Sequence, residues 1–345
     1  MNRRMLLGAS LALPAIRPAT AQGLAPIRLS YQPALYWALP FFIATEKGWW
    51  REIGLQPEFS TFAAGAPQVA ALAARAWDAG GTGSAPAVLG AQRFGLLTIG
   101  ITNDESAGNA LVARRADVER IRANPASLRG QQILLTTNST GEYAALACLE
   151  RWGLSRRDVS LVNLGQAQVI SAFSSGNGAL AGVWAPNIYT LQERAEGVVI
   201  CSGKDAGAAV PGALILRADY AREQPERAAQ FLATYLRAIA WQKQNRAETI
   251  RLMARFYEQG GVTLPEQYLA AEIDTRPTFT LAEQIRLLDR AAGASTADGW
   301  FTKLGDYLRA AGTLQQVPEP RSFITDEYLK RIADNSRLAA FAEAR

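Results

Sequence analysis

Two stretches of the chain match one hundred residues apart: Gln68-Val69, Ala79 and Ala85-Pro86 recur in register as Gln168-Val169, Ala179 and Ala185-Pro186. Each copy reads as a helix, a short apolar strand and a small-residue turn, with Pro near the first position of the next helix, where its missing N–H is harmless. The likeness extends upstream, since Gly54-Leu55 before the strand-like Glu58 to Phe62 is echoed by Gly153-Leu154 before Val159 to Val162. A period this long exceeds the roughly 20–50 residues of a solenoid unit, so the pattern predicts two similar α/β lobes. Turns of this kind leave backbone N–H groups facing a crevice, which suits anions.

The 345 residues suffice for two domains, and the N-terminus adds a leader. Asn2-Arg3-Arg4 precedes an apolar run from Met5 to Leu13, and Ala19-Thr20-Ala21 supplies small residues, so residues 1–21 read as a secretory signal cleaved after Ala21. Arg3-Arg4-Met5-Leu6-Leu7 is similar to a twin-arginine export motif, with Gly8 where Lys is usual, so the twin-arginine and Sec routes both stay open. The apolar run is well short of the roughly 18 residues of a membrane span. Loss of Arg3, Arg4 and Arg17 with the leader lowers the formal charge of +5 by three, and the remaining Lys and Arg are scattered, which argues against nucleic acid as a partner. The chain has no His and two Cys, which excludes a zinc set and removes the commonest general base. An oxidising compartment permits a disulfide, yet Cys148 in an apolar helical stretch and Cys201 after Val198-Val199-Ile200 read as two buried thiols.

Along the mature chain, Ile27 to Tyr31 reads as the first strand, and the loop Gln32 to Ala38 delivers amide and aromatic side chains at its C-terminal end, where ligands of open α/β sheets bind. Strands at Leu55 to Thr61, Ala79 to Thr82 and Leu96 to Thr102 alternate with helices at 40–53, 68–76 and 86–92 to complete a parallel set. Asn109 to Ala113 is expected to cross into a second lobe. That lobe has strands at Ile133 to Thr136, Ser160 to Asn163, Ala179 to Val183 and Val198 to Ile200, between helices at 142–152, 166–174 and 186–195. Gly207 to Pro211 and the strand Ala213 to Arg217 make the return crossing. The expected division is 22–108 for the first part of lobe 1, 109–210 for lobe 2, and 211–345 for the return and a helical extension. Beyond Asp219, apolar residues at helical spacing predict helices at Pro225 to Asn245, Ala247 to Tyr257, Leu281 to Ala292 and Asp326 to Phe341, wrapping lobe 1 and the hinge.

Four segments, Leu39 to Trp50, Asp78 to Pro86, Leu128 to Ile133 and Trp184-Ala185-Pro186, together resemble the nitrate/sulfonate/taurine-type substrate-binding proteins of ABC importers over about residues 27–250. The resemblance implies a type II periplasmic binding fold: two lobes, each a mostly parallel sheet flanked by helices, closing on a ligand at a two-stranded hinge. It further implies a monomer without cofactor, whose partners are a small organic anion and a membrane permease.

The site candidates follow from position. Gly83-Ser84-Ala85 opens a helix whose N–H groups and Ser84 hydroxyl can hold a carboxylate or sulfonate. Thr137, Asn138, Ser139 and Thr140 repeat the device in lobe 2, although Ser139 and Glu142 also form a capping box. Trp37 and Trp184 stand at strand ends where they can cover an apolar ligand body, with Gln32 and Asn187 beside them. Asn103, Asp104 and Glu105 lie between the lobes. In a pocket the two acids recognise an amino group; on the surface they are a solvated turn. Three functions compete: a receptor for an organic anion, an amino-sulfonate or a pyrimidine-type ligand; an enzyme on the same fold, disfavoured without His; and a regulator's sensing domain, which would carry a helix-turn-helix rather than a leader.

Overall fold

A computed structural model describes residues 23–344, so the leader and its cleavage site lie outside the described residues. The ten strands are β1 (Ala25–Tyr31), β2 (Leu55–Thr61), β3 (Ala79–Gly83), β4 (Leu96–Asp104), β5 (Asn109–Arg114), β6 (Gln132–Leu135), β7 (Ser160–Asn163), β8 (Leu180–Trp184), β9 (Gly197–Ser202) and β10 (Pro211–Arg217). They form two five-stranded sheets with the orders β2-β1-β3-β10-β4 and β7-β6-β8-β5-β9. The sheets are counterparts. In each, the strand that has crossed from the other lobe takes fourth place and runs antiparallel to both neighbours. The expected parallel set in lobe 1 is therefore interrupted, because β10 inserts between β3 and β4. Its run Ala213-Leu214-Ile215-Leu216 is fully buried, as a strand covered on both faces requires.

The two crossings lie side by side and are bonded to each other. Glu105 N–H donates to the Val210 carbonyl at 2.8 Å, Gly203 N–H to Asn109 at 2.9 Å and Lys204 N–H to Ser106 at 3.0 Å. This paired link is the hinge of a two-lobed α/β molecule.

Residues 218–344 are helical and contain no strand. The Pro225–Gln242 helix is buried along most of its length in the core of lobe 1, where Phe231, Leu232 and Tyr235 meet Phe41 and Trp50. The extension reaches lobe 2 as well: Tyr268 stacks on Tyr189 at 4.9 Å, Tyr307 packs on Tyr143 at 4.8 Å, and Thr313 Oγ1 donates to Asn138 Oδ1 at 3.1 Å. Two helices, Glu266–Thr275 and Thr296–Ala310, were not expected from apolar spacing; the second announces itself through a Ser295/Asp298 capping box. The predicted helix at 326–341 is two, broken where Asn335 caps the N–H groups of Arg337 and Leu338.

The expectation of two free thiols is wrong. Cys148 on the Thr140–Arg151 helix and Cys201 on β9 are both buried and form a disulfide, with Cα atoms 6.0 Å apart. The helix packs across β5 and β9, a proximity invisible in a sequence separation of 53. Closing a loop of that size restricts the unfolded chain, so replacing both cysteines by Ala should lower the unfolding free energy by roughly 2–4 kcal/mol. Urea denaturation of the double variant beside the oxidised native chain checks this; an unchanged midpoint would show that the bond contributes nothing.

Candidate ligand-binding cleft

Two helices point their N-termini at each other across the lobes: Ser84–Phe94, following β3, and Thr140–Arg151, following β6. They approach closely, since a Cβ placed on Gly83 would lie 3.0 Å from Thr140 Cγ2. Each end presents the positive pole of its helix, with Glu142 N–H capped by Ser139 at the second and Pro86 lacking an N–H at the first. Between them is a narrow pocket of about 30 Å³ lined by Gln32, Trp37, Glu105, Trp184 and Arg276 besides the helix starts. It shares Gln32, Leu35 and Trp184 with a wider hollow of about 410 Å³ flanked by Gln166, Asn187 and the loop at Gly260-Gly261-Val262.

Of the expected site residues, Gln32, Trp37, Gly83, Ser139, Thr140 and Trp184 line the narrow pocket, and Asn187 the wider one. Ser84 and Ala85 are fully buried directly behind Gly83, and the Ser84 hydroxyl has no hydrogen-bond partner. Trp37 lies over β3, where a Cβ on Gly81 would be 2.5 Å from its ring, so the strand beneath must be glycine there. Gln32 donates to Gln68, whose amide in turn reaches Ser30 Oγ at 2.8 Å and the Gly81 carbonyl at 2.9 Å. Asn187 Nδ2 donates to Gln166 Oε1 at 3.0 Å.

Four candidates stand apart from the pocket lining. Thr137 N–H donates to Asn163 Oδ1, and Asn138, at φ 57°, donates its N–H to Glu142 Oε2 and accepts from Thr313. The buried Asn103 accepts from Thr102 Oγ1, and Asp104 caps the hinge turn by accepting from Ser106 N–H at 2.9 Å and Ser106 Oγ at 3.1 Å. Ser139 lines the pocket, but its hydroxyl donates to the Thr136 carbonyl and accepts from Glu142 N–H, as helix capping requires. The expected free turn at Ala185-Pro186 also needs correction, because Ala185 N–H donates to the Gly108 carbonyl at 2.8 Å. The hinge consumes the donor that the repeat predicts for a ligand.

Sequence reasoning missed Arg276, just beyond the Glu266–Thr275 helix. Its side chain is 1% exposed. Nη2 donates to the Ala185 carbonyl at 3.1 Å, and Nη1 lies 3.2 Å from Glu272 Oε2, which also accepts from Tyr257 at 2.7 Å. Nε and Nη1 have no hydrogen-bond partner. Burial works against the charge, but Glu272 and Glu105 hold the guanidinium protonated. The guanidinium also presses on Gly108, where a Cβ would come within 2.6 Å. Glu105, the other half of the acidic pair, enters the pocket while Asp104 does not. Burial pushes its carboxyl up to about 7, partly opposed by Arg276. No periodic pattern or motif marks Arg276 in the stretch Glu272 to Pro277.

Two counterpart sheets, a paired hinge and a cleft between helix N-termini define the architecture of a two-lobed periplasmic binding protein. The chain belongs to the NMT1/THI5-like family, whose model matches residues 38–249. A Brucella abortus (strain 2308) relative that carries the name of a binding protein is 26% identical over 332 residues, 95% of this chain and 99% of its own length. The taurine-binding periplasmic protein of Escherichia coli (strain K12) is 30% identical over 180 residues, 51% of this chain and 54% of the relative. Among solved structures, the alkanesulfonate-binding protein SsuA from Xanthomonas axonopodis pv. citri, bound to MOPS, superposes with a TM-score of 0.71 at 20% identity, covering 88% of this chain and 99% of that one. That likeness shows the shared fold.

Removing one partner of a buried ion pair strands the other charge. Arg276→Met should therefore destabilise the chain by roughly 3–5 kcal/mol, and Arg276→Met combined with Glu272→Gln should recover most of the loss. Denaturant titration of both variants checks this, and equal stability of the single variant and the native chain would contradict it.

Proposed function

We propose that this chain is an exported solute-binding protein that holds a small organic anion, of the sulfonate, nitrate-like or aromatic carboxylate class, and delivers it to the membrane permease of an ABC importer. One observation carries the reading: two helix N-termini and the buried guanidinium of Arg276 converge on a single pocket between the lobes. Helix N-termini and a buried cation with an unmet Nε–H donor suit the anionic group of a ligand. Trp37 and Trp184 line the same pocket and would cover the ligand's apolar body. The names of the relatives point the same way, as does the leader, which would place the chain in the periplasm.

In this reading residues 22–108 and 211–345 close against 109–210 by bending at the paired crossings, and the protein acts as a monomer with no cofactor and no catalytic step. The Cys148–Cys201 bond fits an oxidising compartment.

A thermal-shift screen of the mature chain against alkanesulfonates, 2-aminoethanesulfonate, nitrate, aromatic carboxylates and pyrimidines tests the ligand class. An anion at one hundred times its Kd stabilises by about 2.7 kcal/mol, which should raise Tm by about 5 °C. A response confined to cations or neutral pyrimidines would overturn the anion reading. Small-angle scattering tests closure separately: the radius of gyration should fall on saturation with a binding anion, and an unchanged value would overturn the closing motion.

A further inference from the structure

The anion reading leaves one pocket group unexplained. Glu105 sits on the hinge turn after β4, is 5% exposed, and lines the same pocket as Arg276. Among the described residues no ion pair joins the two; Arg276 takes Glu272 instead. A second carboxylate facing an incoming anion repels it.

The groups around Glu105 relieve that repulsion only in part: burial, Glu272 and Asp104 oppose its charge, while Arg276 and Asn109 favour it. From its own strand, Asp104 is turned to Ser106. From β5, Asn109 Nδ2 donates to the Glu105 main-chain carbonyl at 3.0 Å. From the Pro225–Gln242 helix, the Tyr235 hydroxyl donates to the Trp37 carbonyl at 2.8 Å. From the tail come Arg276 and Glu272, whose charges offset each other. With Glu105 ionised, these four charged groups, counting Asp104, carry a net negative charge before any ligand arrives.

We propose that Glu105 is the specificity-determining residue of the cleft: it makes the site accept an anion together with one hydrogen-bond donor, carried by the ligand as an ammonium or hydroxyl group or, failing that, taken up as a proton on the Glu105 carboxyl. The inference rests on the anion reading above. The charge balance is simple. An anion without a donor binds with one proton from the buffer, which converts the Glu105 carboxylate to the acid and breaks no bond in the ligand. An amino-anion instead donates its own N–H to the ionised carboxylate and takes nothing from solvent. Burial has already raised the Glu105 carboxyl to about 7, and a bound anion raises it further. Anion binding is thus favoured below that range and weakens as pH rises through it.

Three matched probes test this on the mature full-length chain: ethanesulfonate, 2-hydroxyethanesulfonate and 2-aminoethanesulfonate, titrated calorimetrically from pH 6 to 8.5 in two buffers of different ionisation enthalpy. Ethanesulfonate affinity should fall by up to about tenfold per pH unit above 7, with uptake approaching one proton per ligand. Above pH 7 the affinities of the amino and hydroxyl probes should stay nearly flat, with little proton exchange; below pH 7 the amino probe should weaken and release up to one proton, because it binds the ionised carboxylate. Glu105→Gln, which has no titratable proton, should abolish the ethanesulfonate slope and the preference for the amino probe at pH 8. Should that variant fail to fold, the proton count on the native chain decides. Binding of all three probes with no pH dependence and no proton exchange, or an unaltered slope in Glu105→Gln, would overturn this inference alone. Failure of every probe to bind at any pH would overturn the anion reading and this inference with it.

Discussion

The contact on which the rest of the cleft depends is the buried guanidinium of Arg276. It leaves the tail, presses on Gly108 at the hinge, donates to Ala185 in lobe 2, and is neutralised by Glu272 beneath it. Taking such a charge out of water is costly and tolerable only with a partner and hydrogen bonds. Glu272, itself held by the Tyr257 hydroxyl, supplies the first, and the Ala185 carbonyl supplies part of the second. What stays unmet is the Nε–H donor, at the point where the lobes meet. Three separate parts of the chain are tied together by one side chain, so the tail helps to build the cleft as well as to cover lobe 1.

Around this point the duplicated architecture joins the lobes. Each lobe sends one strand into the other's sheet, where it pairs on both sides in fourth place. The crossings are short and bonded to each other by backbone hydrogen bonds, and the tail adds aromatic contacts to lobe 2 through Tyr268 on Tyr189 and Tyr307 on Tyr143. The helix starts at the two lips are not copies of each other, since one follows β3 and the other follows β6, whose counterpart in lobe 1 is β1. The counterparts β3 and β8 diverge in use: Gly83 and Ser84 leave space at the lobe 1 helix, whereas Trp184 fills the corresponding place in lobe 2 and Ala185 is bonded into the hinge.

Local signals were legible in the sequence where they were strong. The offset repeat announced two α/β lobes, and the Gly-Ser and Ser-Thr helix starts gave both lips of the pocket. Single polar residues in loops were read less well. Asn138 and Asp104 carry the right chemistry beside the right strands, yet Asn138 is bonded to Glu142 and Thr313 and Asp104 to the neighbouring turn; Thr137 and Asn103 lie outside the pocket lining. Capping competes for the same side chains as ligand binding, and nothing local distinguishes the two uses. The cysteines failed for a related reason, since neither burial nor composition reveals which buried thiols are neighbours.

By itself the sequence determined the lobes, the crossings, the helix starts and the helical character of the tail, because these rest on periodicity and on interactions a few residues long. Only the tertiary structure decided which charges share the pocket. Arg276 and Glu105 lie far apart in the chain and belong to different elements, and their meeting depends on how the tail folds back across the hinge. The electrostatics of a cleft sum over all charges brought close in space, and that sum is set by packing rather than by local pattern.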